Sequence, residues 1–335
     1  MRLNRGKWFD PSTDFIILKS KLRKIATAII SSIICVSIFW GADLYLHRKH
    51  GINFWGYRGP AVGKKQPGEK RIAVLGGSTT WGFGLQAGQD FPAQLQLMLA
   101  HDQSASGMTI KVLNLGFNNE GAYSFTQTLN DYDYLDTDVV IFYSGYNDLD
   151  GPNYYNFRHR SPIFSLTGYL PLLPSLTVDK LSVWEQQLTG RNEKVVFRPP
   201  QSGQRSDSRT LRPQLREPEP RASPGENQMS AACSPKWQFY CERIVAASEL
   251  ALAKGKRVLI VGEPYIRTDH VEEQFELERM LRVRFAAEPH LRYLNLGRAV
   301  DLGDQSLCWD GMHLTEEGNR RIAAALTQPV LEMLR

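Results

Sequence analysis

The sequence predicts an α/β domain of three layers, α/β/α, built on a central parallel sheet and preceded by one apolar N-terminal helix. Three observations carry this reading: short, near-continuous apolar runs, stretches of helical periodicity between them, and an uncharged stretch over residues 25–42. Strands buried on both faces read as continuous apolar runs rather than as alternating ones, so these runs fit a parallel sheet covered on both sides. Alternating strands and helices then imply right-handed crossovers. The chain has 335 residues, 42% hydrophobic and 22% charged, which suits one sizeable packed domain with attachments.

In chain order, residues 1–24 form a basic tail, with Arg2, Arg5, Lys7, Lys19, Lys21, Arg23 and Lys24 against Asp10 and Asp14. "IATAIISSIICVSIFWGA", Ile25 to Ala42, then carries no charge. About 18 residues is near the lower length for a membrane-spanning helix. A cleaved signal peptide would be shorter and would place small residues before the cut, whereas this run ends Phe39-Trp40-Gly41-Ala42. The expectation is a retained single-pass anchor. The larger basic excess precedes it, which keeps the N-terminus cytoplasmic at the inner membrane and exports the rest to the periplasm or beyond. The net charge of +5 owes much to that tail, and no basic stripe interleaved with aromatics points to nucleic acid.

Residues 43–69, rich in Gly, Pro and Lys, read as a connecting segment, and residues 70–335 as the domain. Expected strands are Ile72–Leu75, Val112–Leu115, Val139–Tyr143, Val258–Val261 and Tyr293–Leu296. Expected helices include one marked by Phe91, Leu95, Met98 and Leu99, one over Trp237 to Gly255, one over His270 to Phe285, and a last one that Thr315 caps and Pro329 kinks or restarts. Residues 191–235 are rich in Pro, Arg, Ser, Gln and Glu and nearly empty of aliphatics, so a disordered insert is expected there. Cys35 falls in the apolar run, and Cys233 and Cys241 could pair in an oxidising compartment, leaving Cys308.

The first strand ends in Gly76-Gly77-Ser78. No lysine follows to make a phosphate loop, and Gly82-Phe83-Gly84 comes too late after the strand for a dinucleotide fingerprint. The carboxyl ends of parallel strands share one edge, which gathers Ser78, Gly116 from "VLNLGFNN" and Asn147 from "GYND" into one crevice. "CWDGMHLTEEG" sets Asp310 and His313 three apart just before the last helix. A serine hydroxyl needs a base, imidazole supplies one, and a carboxylate holds the imidazole in one tautomer. Backbone N–H groups of Ser78 and Gly116 and the Asn147 amide would meet the oxyanion. Asp301, Asp304, Cys308, Asp310 and His313 are too irregular a set for a metal, and no cofactor is expected. His101, His159, His270 and His290 read as surface or packing residues.

Four blocks in order, "GGST" at 76–79, Gly116, "GYND" at 145–148 and "DGMH" at 310–313, resemble the SGNH (GDSL-type) hydrolases. Gly77 stands where that family's motif has aspartate. The segment "NFWGYRGP" also resembles what precedes the first block in envelope-located bacterial members. The resemblance implies a flavodoxin-like sheet, Ser78 as nucleophile, His313 as base, Asp310 as its orienting acid, and Ser78, Gly116 and Asn147 as oxyanion donors. Tyr146, Tyr154 and Trp309 are candidate substrate-binding aromatics. The expected activity is hydrolysis of an ester, an O-acyl or acetyl group of an envelope or extracellular carbohydrate. Acyl transfer through the same serine, and a non-catalytic glycan-binding or assembly role, stay open at this level.

Overall fold

The computed structural model describes residues 11–102, 107–174 and 232–335. The expected insert therefore lies outside the described residues except for 232–235, as does the start of the basic tail. Five strands, β1 (Glu69–Gly76), β2 (Thr109–Asn114), β3 (Val139–Ser144), β4 (Arg257–Gly262) and β5 (Leu291–Asn295), form one parallel sheet in the order β2-β1-β3-β4-β5. Strand β3 begins with its apolar run, and the other four begin one to three residues before theirs, because polar residues such as Arg71 and Lys111 also pair in the ladder. Strand β3 is buried along its whole length and β1 and β4 nearly so, whereas the edge strand β5 is half-buried with one exposed residue. That difference is why the β5 run was the faintest of the five.

The helices are α1 (Pro11–His50), α2 (Ser78–Trp81), α3 (Phe91–His101), α4 (Phe125–Asp131), α5 (Pro162–Thr167), α6 (Gln238–Ala253), α7 (Thr268–Arg284) and α8 (Glu316–Leu334). Helix α3 packs on α8 and β2, and α4 on α6. The central strands are buried on both faces, which these two groups of helices cover. Thr315 caps α8 by accepting the Gly318 N–H at 3.2 Å, and the helix runs through Pro329 without restarting. Cys233 and Cys241 form a disulfide.

Helix α1 exceeds the apolar run at both ends. Its stretch Lys19–His50 is long and apolar enough to cross a membrane, and Ile25, Ile29, Ile33, Val36, Ile38, Phe39 and Trp40 are all exposed. The expected connecting segment 43–69 needs correcting. Residues up to His50 continue the helix, and its last turns dock on the domain. The buried Asp43 carboxylate accepts the Leu172 and Leu173 N–H groups at 2.8 and 2.6 Å and the Tyr169 hydroxyl. His47 Nε2 bonds to the Leu170 carbonyl at 2.8 Å. Ile52, Tyr57 and Arg58 are buried, so the glycines and prolines here shape a packed segment rather than a free linker.

Candidate active site

Strand order reverses at β1, since β2 lies on one side of it and β3 on the other. Ligands of such sheets bind beyond the carboxyl ends at that switch point, and Ser78 follows β1 there while Asn147 follows β3. Ser78 sits on α2, a single turn too short to hold its own shape. It is tied down residue by residue. Ser78 Oγ lies 2.9 Å from His313 Nε2, Thr79 donates to Glu263 at 2.5 Å, Thr80's carbonyl accepts the Asn114 amide at 2.8 Å, and Trp81's carbonyl accepts Arg58 at 2.6 Å.

His313 comes from the loop before α8, where Trp309 N–H donates to the His313 carbonyl at 3.1 Å. Asp310 Oδ2 lies 2.6 Å from His313 Nδ1, while its Oδ1 accepts the backbone N–H groups of His313 at 2.6 Å and Met312 at 2.9 Å. Burial pushes the Asp310 carboxyl upward, but the hydrogen bonds from the His313 ring and these amides, with the attraction of His313, hold it below the usual carboxylate range. It therefore stays an acceptor for Nδ1–H, which leaves Nε2 to face Ser78. His313 is almost wholly buried beneath Trp309, whose ring stacks on it at 5.5 Å, and Phe83 at 4.9 Å.

Asn147 stands beside Gly77 and Ser78. A Cβ at Gly77 would come within 2.0 Å of Asn147 Nδ2, so a side chain before the serine would have to displace the Asn147 amide. One amide hydrogen of Asn147 goes to the Glu120 carbonyl at 2.8 Å, and the other remains for a ligand. Gly116 departs from expectation. Its N–H donates to Asn114 Oδ1 at 3.1 Å, and its Cα packs against Thr80 and Trp81, where a Cβ would meet atoms at 2.7–2.8 Å. It supports α2 from below and does not offer its amide. The Gly121 N–H, in the peptide unit whose Glu120 carbonyl accepts Asn147 Nδ2, donates to no partner among the described residues.

The substrate-binding candidates divide. Trp309 is half-buried and lies against the triad, stacked on Phe83 at 6.1 Å. Tyr146 is buried and its hydroxyl donates to the Pro264 carbonyl, because the ring packs at 5.0 Å on His270; it is a core residue rather than a wall of the site. Tyr154 is exposed and lines a groove of about 530 Å³ with Phe157, Ile163 and Pro171, which contains none of the triad. A second cleft of about 630 Å³, lined by Trp55, Tyr134 and Phe164, also lies apart from it.

Sequence reasoning missed Glu263. It stands one residue past β4, on the same sheet edge, and a carboxylate in "IVGEP" was the available signal. Its two oxygens take the Thr79 hydroxyl and the Tyr146 N–H at 2.9 Å, joining the loops after β1 and β3. Burial pushes its carboxyl up to about 7, only partly offset by those two bonds. Asp148, which accepts the Ala122 N–H at 3.0 Å, is likewise pushed up to about 7 by burial and by Glu263.

No protein-family profile matches the chain, and no curated protein does either. Among solved structures, a family 3 carbohydrate esterase from Clostridium thermocellum is 13% identical, with 79% of this chain and 98% of that one covered and a TM-score of 0.44. An acetylxylan esterase from Geobacillus stearothermophilus is 12% identical over 78% and 94% of the two chains, with a TM-score of 0.44. A lipase/acylhydrolase from Enterococcus faecalis is 15% identical over 78% and 96%, with a TM-score of 0.42. The functional reading of this chain therefore stands on its own geometry.

Proposed function

We propose that this chain is a membrane-anchored serine ester hydrolase of the SGNH type, acting on O-acyl groups, acetyl in the simplest case, of a carbohydrate outside the cytoplasm. The observation that carries the proposal is the continuous line from Ser78 Oγ to His313 Nε2 and from Nδ1 to Asp310, at the switch point of the sheet. In the first half-reaction Ser78 Oγ attacks the ester carbonyl carbon while its proton passes to His313 Nε2. Charge on the carbonyl oxygen meets the N–H groups of Ser78 and Gly121 and the free amide hydrogen of Asn147. As the tetrahedral centre collapses, the C–O bond breaks and His313 returns the proton to the departing alcohol, leaving acyl-Ser78. Water then gives its proton to His313, its oxygen attacks the acyl carbon, and Ser78 recovers the proton as the acid leaves.

The carbohydrate is supported by Phe83 and Trp309, stacked aromatic rings beside the base whose faces can pack on the apolar face of a sugar ring. The anchor is supported by the exposed apolar surface of α1. The test is the detergent-solubilised full chain against p-nitrophenyl acetate and peracetylated sugars, with Ser78→Ala as control. Acetate release lost in Ser78→Ala supports the proposal. Equal release by both proteins overturns it, and p-nitrophenol release without acetate, with the acetyl group recovered on an added sugar hydroxyl, replaces hydrolysis by acyl transfer.

A further inference from the structure

We propose that Arg58, in the packed segment between α1 and the domain, is a positioning residue for the catalytic serine. The inference rests on the serine hydrolase reading and adds to it a residue outside the triad and the oxyanion donors. A one-turn helix such as α2 leaves its carbonyls unpaired at its end, and nothing within it fixes its tilt. Arg58 supplies what is missing. Nη1 donates to the carbonyls of Trp81 at 2.6 Å and Gly82 at 2.9 Å, and Nη2 donates to that of Leu85 at 2.7 Å. The guanidinium lies 5.8 Å from the Trp81 ring centre, and its Nε lies 3.3 Å from the Asp90 carboxylate. A positive charge at a helix C-terminus also faces the favourable end of the backbone dipole.

The grip reaches Ser78 through short links. Gly82 N–H and Phe83 N–H both donate to the Ser78 carbonyl at 3.0 Å, so the turn that Arg58 holds is bonded to the nucleophile's own peptide unit. Arg58 is in turn held in place. Its backbone N–H donates to the Asn114 carbonyl at 3.1 Å, and it is 4% exposed. Asn114 also donates to the Thr80 carbonyl, so the end of β2 and Arg58 act together on the two C-terminal residues of α2. Tilting α2 swings Ser78 Oγ away from His313 Nε2, and a planar fork spanning three carbonyls resists that tilt in a way that a lysine ammonium cannot.

The test uses the full chain in detergent, with Arg58→Lys and the double variant Arg58→Met/Asp90→Asn, which leaves no unpaired buried charge. Active sites are counted by exhaustive labelling with a fluorophosphonate, and kcat and KM are measured per labelled site. Both variants are expected to label to full stoichiometry, with kcat per site lowered about tenfold to hundredfold, the double variant more than Arg58→Lys. KM is expected to stay within about twofold of the parent, as for loss of alignment rather than of binding. A variant with a lowered melting temperature and kcat per site within about twofold of the parent overturns the proposal and makes Arg58 a structural residue. A parent chain that takes no adduct at Ser78 instead overturns the hydrolase reading, a result distinct from any Arg58 outcome.

Discussion

Ser78, His313 and Asp310 are bonded in series, so each substitution removes a different part of the chemistry. Ser78→Ala removes the nucleophile. Asp310→Asn keeps the shape but presents an amide hydrogen where Nδ1–H needs an acceptor, and kcat is expected to fall by roughly 10³–10⁴-fold with little change in KM. Asn147→Ala takes one donor from the developing oxyanion and is expected to cost about 10²–10³ in kcat, measured by steady-state p-nitrophenyl acetate hydrolysis. The grouping of Ser78, His313 and Asp310 was legible because the chemistry of serine, histidine and aspartate is restrictive and the three fall on one sheet edge. Which glycine keeps its amide unbonded was not. "NLGFNNEG" contains two glycines, and only the turn that sends the Glu120 carbonyl to Asn147 and the Gly116 amide to Asn114 separates them. Arg58 was hidden for a related reason: its neighbours Gly56, Gly59 and Pro60 give the composition of a loop, and composition is silent on which carbonyls a guanidinium reaches.

At the scale of elements, the active site is a meeting of strand ends, and Glu263 is the tie among three of them. It links the end of β4 to Thr79 after β1 and to Tyr146 after β3. Its folded value of about 7 lies above the ordinary 4.5, as the Asp148 value of about 7 lies above 3.8. A raised value means that the folded state holds the proton more tightly. The stability these groups contribute is full below their ordinary values and is lost as pH rises through about 7. Buried His270, pushed down to about 3 by desolvation, acts in the opposite sense: stability falls as pH drops below its ordinary 6.5. Glu263→Gln removes one contribution only. Its melting temperature minus that of the parent is expected to become more positive from about pH 5 to about pH 8, and a difference independent of pH would count against the buried, proton-holding carboxyl. The cap of α8 gives a second expectation. Thr315→Ala is expected to lose about 1 kcal/mol in denaturant unfolding. Strand positions were legible because apolar runs mark buried strands. Except in β3, their first residues were not, because ladder hydrogen bonds extend to polar residues whose burial only the folded chain reveals.

For the molecule as a whole, the order of elements and the sheet follow from the alternation of apolar runs and helical periods. The relation of α1 to the domain was not visible in that pattern. The apolar run marked the exposed part of α1, whereas its last turns dock through two polar residues, Asp43 and His47, whose value lies in partners more than 100 residues away. Asp43→Ala removes the acceptor for two backbone amides and is expected to lower the melting temperature of the full chain. The exposed apolar surface of α1 predicts that the chain stays with the membrane fraction through an alkaline wash and needs detergent for release. Release by the wash alone would count against the anchor. The Cys233–Cys241 bond predicts a mass gain of two hydrogens when the unfolded chain is reduced. The central claim is an activated serine at position 78, and the most direct measurement is intact-mass and peptide mapping after fluorophosphonate treatment of the folded full chain. The account predicts a single adduct on Ser78, absent from Ser78→Ala and strongly slowed in His313→Ala. A folded chain that takes no adduct, or one labelled equally well without His313, would contradict it.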